Sequence, residues 1–177
     1  SLPDLFIVEI KHFVDKRGFF IEPWHKRDFS KAGLDLEFVQ EGHSRSQYKV
    51  LRGLHYQDTT APMGKLVRCT FGRVFEVAVD LRVRSKTFGK WHGLELTAKN
   101  MKLFYVPVGF ALGFITLSPY AEVQYKQTGY YTPSSEGTIL WKDPDIGIEW
   151  PVKNPILSGR DKHGMHFKQY RKNPVFT

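Results

Sequence analysis

Between Leu5 and Thr128 the chain breaks into short runs rich in Val, Phe, Tyr and Thr, each closed off by Gly, Pro, Asn or Asp. Runs of that length suit extended strands, because β-branched and aromatic side chains pack well on a pleated surface. The predicted strands are Leu5–Ile10, Phe19–Glu22, Phe38–Ser46, Val50–Gln57, Lys65–Thr70, Arg73–Arg82, Trp91–Thr97, Lys102–Val106, Gly113–Leu117 and Ala121–Thr128. Only Trp24–Ala32 reads as a helix. About ten strands without alternating helices imply a mainly β fold, an antiparallel sandwich or jelly roll. From about Pro144 the chain is punctuated by Pro and Gly, and it is expected to pack against the barrel as loops and short helical turns. A length of 177 residues fits one domain spanning 1–177, long enough to bury a core.

The 26 Lys and Arg outnumber the 18 Asp and Glu, giving a net charge of +8. Such an excess raises the question of a nucleic-acid partner. The basic residues are scattered among acidic and aromatic ones, with no zinc-finger or helix-turn-helix signal, so a solvated basic surface is the simpler reading and no nucleic-acid partner is expected. No apolar run reaches membrane-spanning length, so no membrane partner is expected either. The single Cys69 has no partner for an intrachain disulfide, which agrees with a reducing, cytoplasmic location. The chain opens Ser1-Leu2-Pro3 without Met, which would fit either a trimmed leader or an expression scar.

One stretch points to chemistry. Val50 to Gln57 places a lone histidine, His55, on a predicted strand, with no second ligand-type residue beside it. That suits proton transfer better than metal binding, since an imidazole titrates near neutrality. Alternation puts Gly53, His55 and Gln57 on one face, and Gly53 is expected to leave room for a ligand beside the imidazole. Arg52 would then face the other way, so if Arg52 and His55 serve one ligand, a bulge or twist near Gly53 is required, or an Arg52 that reaches around an edge. In the strand ending at Arg82, Phe75, Val77, Val79 and Leu81 form a core face, while Val74, Glu76, Ala78, Asp80 and Arg82 face either water or a polar cavity.

A wider pattern covers almost the whole chain: Asp15 to Glu22 (DKRGFFIE), Phe38-Val39-Gln40, His43-Ser44, Leu51 to Gln57 (LRGLHYQ), Gly64 to Arg68 (GKLVR), Val79 to Arg82 (VDLR), Val106 to Ala111 (VPVGFA), Tyr130 to Pro133 (YYTP) and Ile148 to Pro151 (IEWP). In this order and spacing the chain resembles the dTDP-4-dehydrorhamnose 3,5-epimerase family. The resemblance implies a cupin-like jelly roll and a cofactor-independent isomerase. Its expected reaction is epimerisation of C3 and C5 of dTDP-4-dehydro-6-deoxy-D-glucose through an enolate. It further implies that His55 is the base, Asp161 the carboxylate that orients it, Lys65 the cation beside the keto oxygen and Tyr125 the acid on the opposite face. Arg17, Glu22, Gln40, Arg52, Glu136 and Arg160 match positions that hold the nucleotide-sugar, and Tyr131 matches an aromatic that stacks on thymine. The family also implies a homodimer in which N-terminal strands lend residues to the neighbouring site. Phe6 and Ile7 begin a segment suited to that role, or to completing their own sheet.

The chain departs from the family in two places. Leu112 stands where the family usually has a second histidine, and Gly42 where asparagine is common. Leucine offers neither a hydrogen bond nor a charge. These changes keep two alternatives open: an epimerase acting on one carbon or on a related 4-keto sugar, and a nucleotide-sugar binding module. Cupin-type jelly rolls often hold a metal with several histidines. Here Gln57 and Leu112 occupy the positions where partners for His55 would stand, so no metal is expected.

Overall fold

The computed structural model describes residues 2–177; Ser1, of the opening Ser-Leu-Pro, lies outside the described residues. Three short strands come first, β1 (Phe6–Glu9), β2 (His12–Asp15) and β3 (Gly18–Ile21), followed by the helix α1 (Lys26–Lys31). Then come β4 (Gln40–Gln47), β5 (Leu51–Gln57), β6 (Lys65–Phe71), β7 (Arg73–Asp80), β8 (Trp91–Thr97), β9 (Lys102–Val106), β10 (Phe110–Thr116) and β11 (Tyr120–Gln127). A short β12 (Glu136–Thr138) and two single-turn helices, α2 (Gly159–Lys162) and α3 (Phe167–Tyr170), complete the order.

The strands form two five-stranded sheets, ordered β1-β9-β6-β11-β4 and β12-β5-β10-β7-β8, with β2 and β3 as a separate ribbon. All ladder pairings are antiparallel. The mainly β jelly roll expected from the sequence is what the chain forms. Val67, Cys69, Phe104 and Val123 of the first sheet meet Val74, Ala78, Leu112 and Phe114 of the second in a shared core. The outer face of each sheet is covered as well. Phe29 and Leu34, with Trp24 and Phe38 packed against them, cover Leu66, Leu103 and Tyr105 of the first sheet. Ile146, Phe167, Tyr170 and Phe176 cover Leu54, Val77, Val79 and Ala111 of the second, so the Pro- and Gly-punctuated C-terminal segment packs as anticipated.

This layering explains where the strand boundaries differ from expectation. β10 begins at Phe110 rather than Gly113, and all its residues are buried. A strand covered on both faces reads as a continuous apolar run, so alternation gives no signal at its start. The second face of β7 is likewise buried, with Val74, Glu76, Ala78 and Asp80 all at or below 1% exposure. Asp80 is satisfied there by Arg82, Ser85 and Thr87, within hydrogen bonds of 2.6 to 3.0 Å. β2 and β12 were not predicted, and the helix is shorter at both ends than Trp24–Ala32.

Candidate active site

The inner faces of the sheets part around a cavity of about 370 Å³. From the first sheet come Gln40 and Ser44 of β4, Lys65 and Val67 of β6, and Val123, Tyr125 and Gln127 of β11. The second sheet supplies Arg52 and His55 of β5, Glu76 of β7, and Leu112, Gly113 and Phe114 of β10. Tyr131, Glu136 and the α2 region, with Ser158, Arg160 and Asp161, complete the lining.

Arg52 and His55 reach the same cavity because β5 carries a bulge. His55 pairs with Leu112 and Arg52 with Phe114, so three steps along β5 match two along β10. The extra residue restores the parity that a regular strand would break. Gly53 has a different role from the one expected of it. A side chain at position 53 would place its Cβ 2.5 Å from the Gly113 Cα and 2.8 Å from the Leu112 carbonyl oxygen. The space beside Gly53 therefore belongs to the neighbouring strand, not to a ligand.

His55 donates from Nε2 to Asp161 Oδ1 at 2.6 Å. Asp161 is held in turn by Ser158, whose hydroxyl donates to Oδ2 at 2.7 Å and caps α2 by accepting from the Asp161 amide. Burial alone would raise the Asp161 carboxyl pKa, but the bonds from His55 and Ser158 outweigh it and hold the value below the usual range. A carboxylate at Nε2 fixes the neutral tautomer and leaves the lone pair on Nδ1. Arg160 also comes within 3.2 Å of Nε2. A nitrogen whose proton goes to Asp161 cannot accept another, so the partner of the guanidinium is Glu136, with which it forms an ion pair.

Tyr125 enters from the opposite sheet. Its ring lies across Gly42, its cross-strand neighbour; a Cβ at position 42 would stand 2.5 Å from the ring and 2.6 Å from the phenol oxygen. Glycine here gives the phenol a position that any side chain at 42 would block. Lys65 Nζ lies 5.8 Å from the centre of the Tyr125 ring. Burial pushes the Lys65 ammonium pKa down, while Glu136 and Glu76 pull it back up. Glu76 went unrecognised in the sequence as a site residue; alternation assigned its face but not what that face meets.

The residues expected to bind the nucleotide-sugar divide into two groups. Gln40, Arg52, Tyr131, Glu136 and Arg160 all line the cavity. Tyr131 donates its amide to Gln40 Oε1 at 2.8 Å and its hydroxyl to Glu136 at 3.0 Å. Gln57 was also missed as a positioning residue: its buried amide side chain bonds Ala61, Tyr130 and Thr132, anchoring the loop that presents Tyr131. Arg17 and Glu22, by contrast, are exposed and outside the cavity lining, and Arg17 pairs with Asp15 on the β2–β3 ribbon. The segment at Phe6 and Ile7 pairs with β9 of its own chain, so the projecting N-terminal element is the ribbon instead. Among the described residues, no three His, Cys, Asp or Glu side chains gather into a set that would hold a metal ion.

A jelly roll with an imidazole on one side of its cavity and a phenol and an ammonium on the other has the groups that a carbohydrate epimerase needs. A family model described as dTDP-4-dehydrorhamnose 3,5-epimerase matches residues 1–169. A dTDP-4-dehydrorhamnose 3,5-epimerase from Salmonella typhimurium strain LT2 is 53% identical over 163 residues, covering 91% of this chain and 89% of its own. The crystal structure of a dTDP-6-deoxy-D-glucose-3,5-epimerase from Legionella pneumophila, in complex with dTDP-4-keto-L-rhamnose, superposes with a TM-score of 0.89 at 44% identity, covering 93% of this chain and 88% of that one. A 4-keto-6-deoxy sugar epimerase from Streptomyces spheroides gives a TM-score of 0.95 at 32% identity, with 99% and 89% covered. The chain belongs to the dTDP-4-dehydrorhamnose 3,5-epimerase family.

Proposed function

We propose that this chain epimerises C3 and C5 of dTDP-4-dehydro-6-deoxy-D-glucose to give dTDP-4-dehydro-L-rhamnose, with His55 as base and Tyr125 as acid. The observation behind this reading is that the two side chains approach one cavity from opposite sheets, with Asp161 bonded to the imidazole. His55 takes the proton from a carbon next to the ketone, the C–H electron pair becomes the enolate double bond, and charge moves onto the keto oxygen. The Lys65 ammonium counters that charge. Tyr125 then gives its proton to the same carbon from the other face as the carbonyl re-forms. Repetition at the second carbon, after both groups exchange protons with solvent, completes the reaction, and electrons balance without a redox cofactor.

Turnover in heavy water tests this reading. Deuterium is expected at both C3 and C5 of the product, read by proton NMR. Incorporation at one carbon only would favour the second reading, a mono-epimerase, which the apolar Leu112 opposite His55 and the Tyr125 ring across Gly42 support. Tight binding without any exchange would make the chain a nucleotide-sugar binding module.

The working form is a homodimer in which the β2–β3 ribbon delivers Arg17 and Glu22 to the partner's cavity. Support comes from Phe13, Val14, Phe19 and Phe20 on the ribbon, 56%, 71%, 60% and 63% exposed. Apolar side chains that open to water need a covering surface. Mixing an Arg17→Ala chain with a His55→Asn chain distinguishes the arrangements. Sites shared between chains leave one intact site per mixed dimer, so activity should rise well above that of either variant alone; sites built within one chain give no recovery. The lone Cys69, buried as a free thiol, supports a cytoplasmic setting. Among the described residues, no helix is long and apolar enough to cross a membrane.

A further inference from the structure

The cavity wall holds a carboxyl that the mechanism above does not use. Glu76 is 1% exposed, yet it lines the cavity, and its Oε2 has no hydrogen-bond partner. Its neighbours on the flanking strands are Phe114 and Leu94, both apolar. The ionisable groups that share the cavity with it are Lys65, Tyr125, Tyr131, Arg52, His55, Glu136, Arg160 and Asp161. Burying a carboxyl without a partner destabilises a fold, and an apolar side chain of similar size would pack there at lower cost. Something other than packing must account for a glutamate at this position.

Burial pushes the Glu76 pKa up to about 8, with Lys65 opposing, so the side chain is largely neutral near pH 7. A neutral carboxyl has an O–H to donate, which a carboxylate lacks. Leu112, two residues along β10 from the partner of Glu76, has no donor to offer. We propose that Glu76 acts as a carboxylic acid that donates a hydrogen bond to the keto oxygen of bound substrate, sharing with Lys65 the oxygen on which enolate charge develops. It is thereby a catalytic residue of this chain, on a wall where Leu112 and Phe114 offer no donor. A neutral carboxylic acid in an apolar wall is a known type of oxyanion donor. The inference rests on the epimerase reading above and adds a residue to it.

Two variants test it. Glu76→Met removes the donor and keeps the volume, while Glu76→Gln keeps a neutral donor of the same length. For Glu76→Met, kcat is expected to fall about a hundredfold, the scale of one lost oxyanion donor. Its affinity for dTDP alone, measured by calorimetry, should stay within about twofold, and its Tm should rise because a buried unpartnered polar group has gone. Glu76→Gln should remain within about tenfold of the wild-type kcat. A Met variant within threefold of wild type, a fall in its Tm, or a Gln variant as impaired as Met would each overturn the proposal. If the wild-type protein incorporates no deuterium, the epimerase reading fails by itself. The contact is then read from the affinity ratio of dTDP-4-dehydro-6-deoxy-D-glucose to dTDP: a lower ratio in the Met variant supports it, and an unchanged ratio overturns it.

Discussion

A His55→Asn variant is expected to lose about 10²- to 10⁴-fold in kcat, the span that a positioned general base contributes. Its affinity for dTDP should stay within about threefold. Asparagine retains a side-chain amide for Asp161 Oδ1 but has no lone pair basic enough to take a carbon-bound proton. Because Asp161 is itself held by Ser158, the pocket should keep its shape around the substitution. The loss would then fall on kcat with KM nearly unchanged, as for an interaction made only in the transition state. Steady-state kinetics beside dTDP calorimetry make the comparison. A kcat within tenfold of wild type would remove His55 from the role of base, and a parallel collapse of dTDP binding would make it a binding residue instead.

Gly53→Ala is expected to cost about 2–5 kcal/mol of stability, a large part of what a domain of this size has to spare. Two effects act together. The backbone at Gly53 has φ +129°, which residues with a Cβ rarely adopt, and the new methyl would stand 2.5 Å from the Gly113 Cα. The obstacle is backbone, so no side-chain rotation relieves it; β5 and β10 must separate. Gly159→Ala is the control, with nothing within 4 Å of the added methyl and an ordinary φ, and it should change stability by less than about 0.5 kcal/mol. Urea denaturation of the two variants against wild type gives the difference. Equal stabilities would mean that the bulge is not what holds the two strands together.

Much of the fold was legible in the sequence because runs of β-branched and aromatic residues end at Gly, Pro, Asn and Asp, whether or not their burial alternates. Trp91–Thr97 and Lys102–Val106 were placed to the residue. The start of β10 was not, since its residues are buried on both sides and show no period. β12 is three residues long and is defined by its pairing with β5, a tertiary fact with no local signature. The need for a bulge followed once the family resemblance assigned Arg52 and His55 to one ligand, but the purpose of Gly53 could not be read, because it depends on Gly113 in a strand far along the chain. The partner of His55 lies 106 residues away in a turn, where only family resemblance pointed to it. Glu76 was left ambiguous for a related reason: alternation says which residues share a face, whereas only the layering of two sheets says whether that face meets water, core or substrate. Arg17 and Glu22 match by motif but stay outside the cavity of their own chain, which a sequence cannot reveal.

β10 is hydrogen-bonded on one side to β5, which bears the imidazole, and on the other to β7, which bears Glu76. No residue of it faces solvent. A strand so enclosed cannot fray by itself, so the wall holding these two groups opens only when the molecule as a whole comes apart. Substrate therefore meets a rigid template on that side, and whatever adjustment admits and releases it falls to the rim, where Tyr131 and Arg160 are partly open to water.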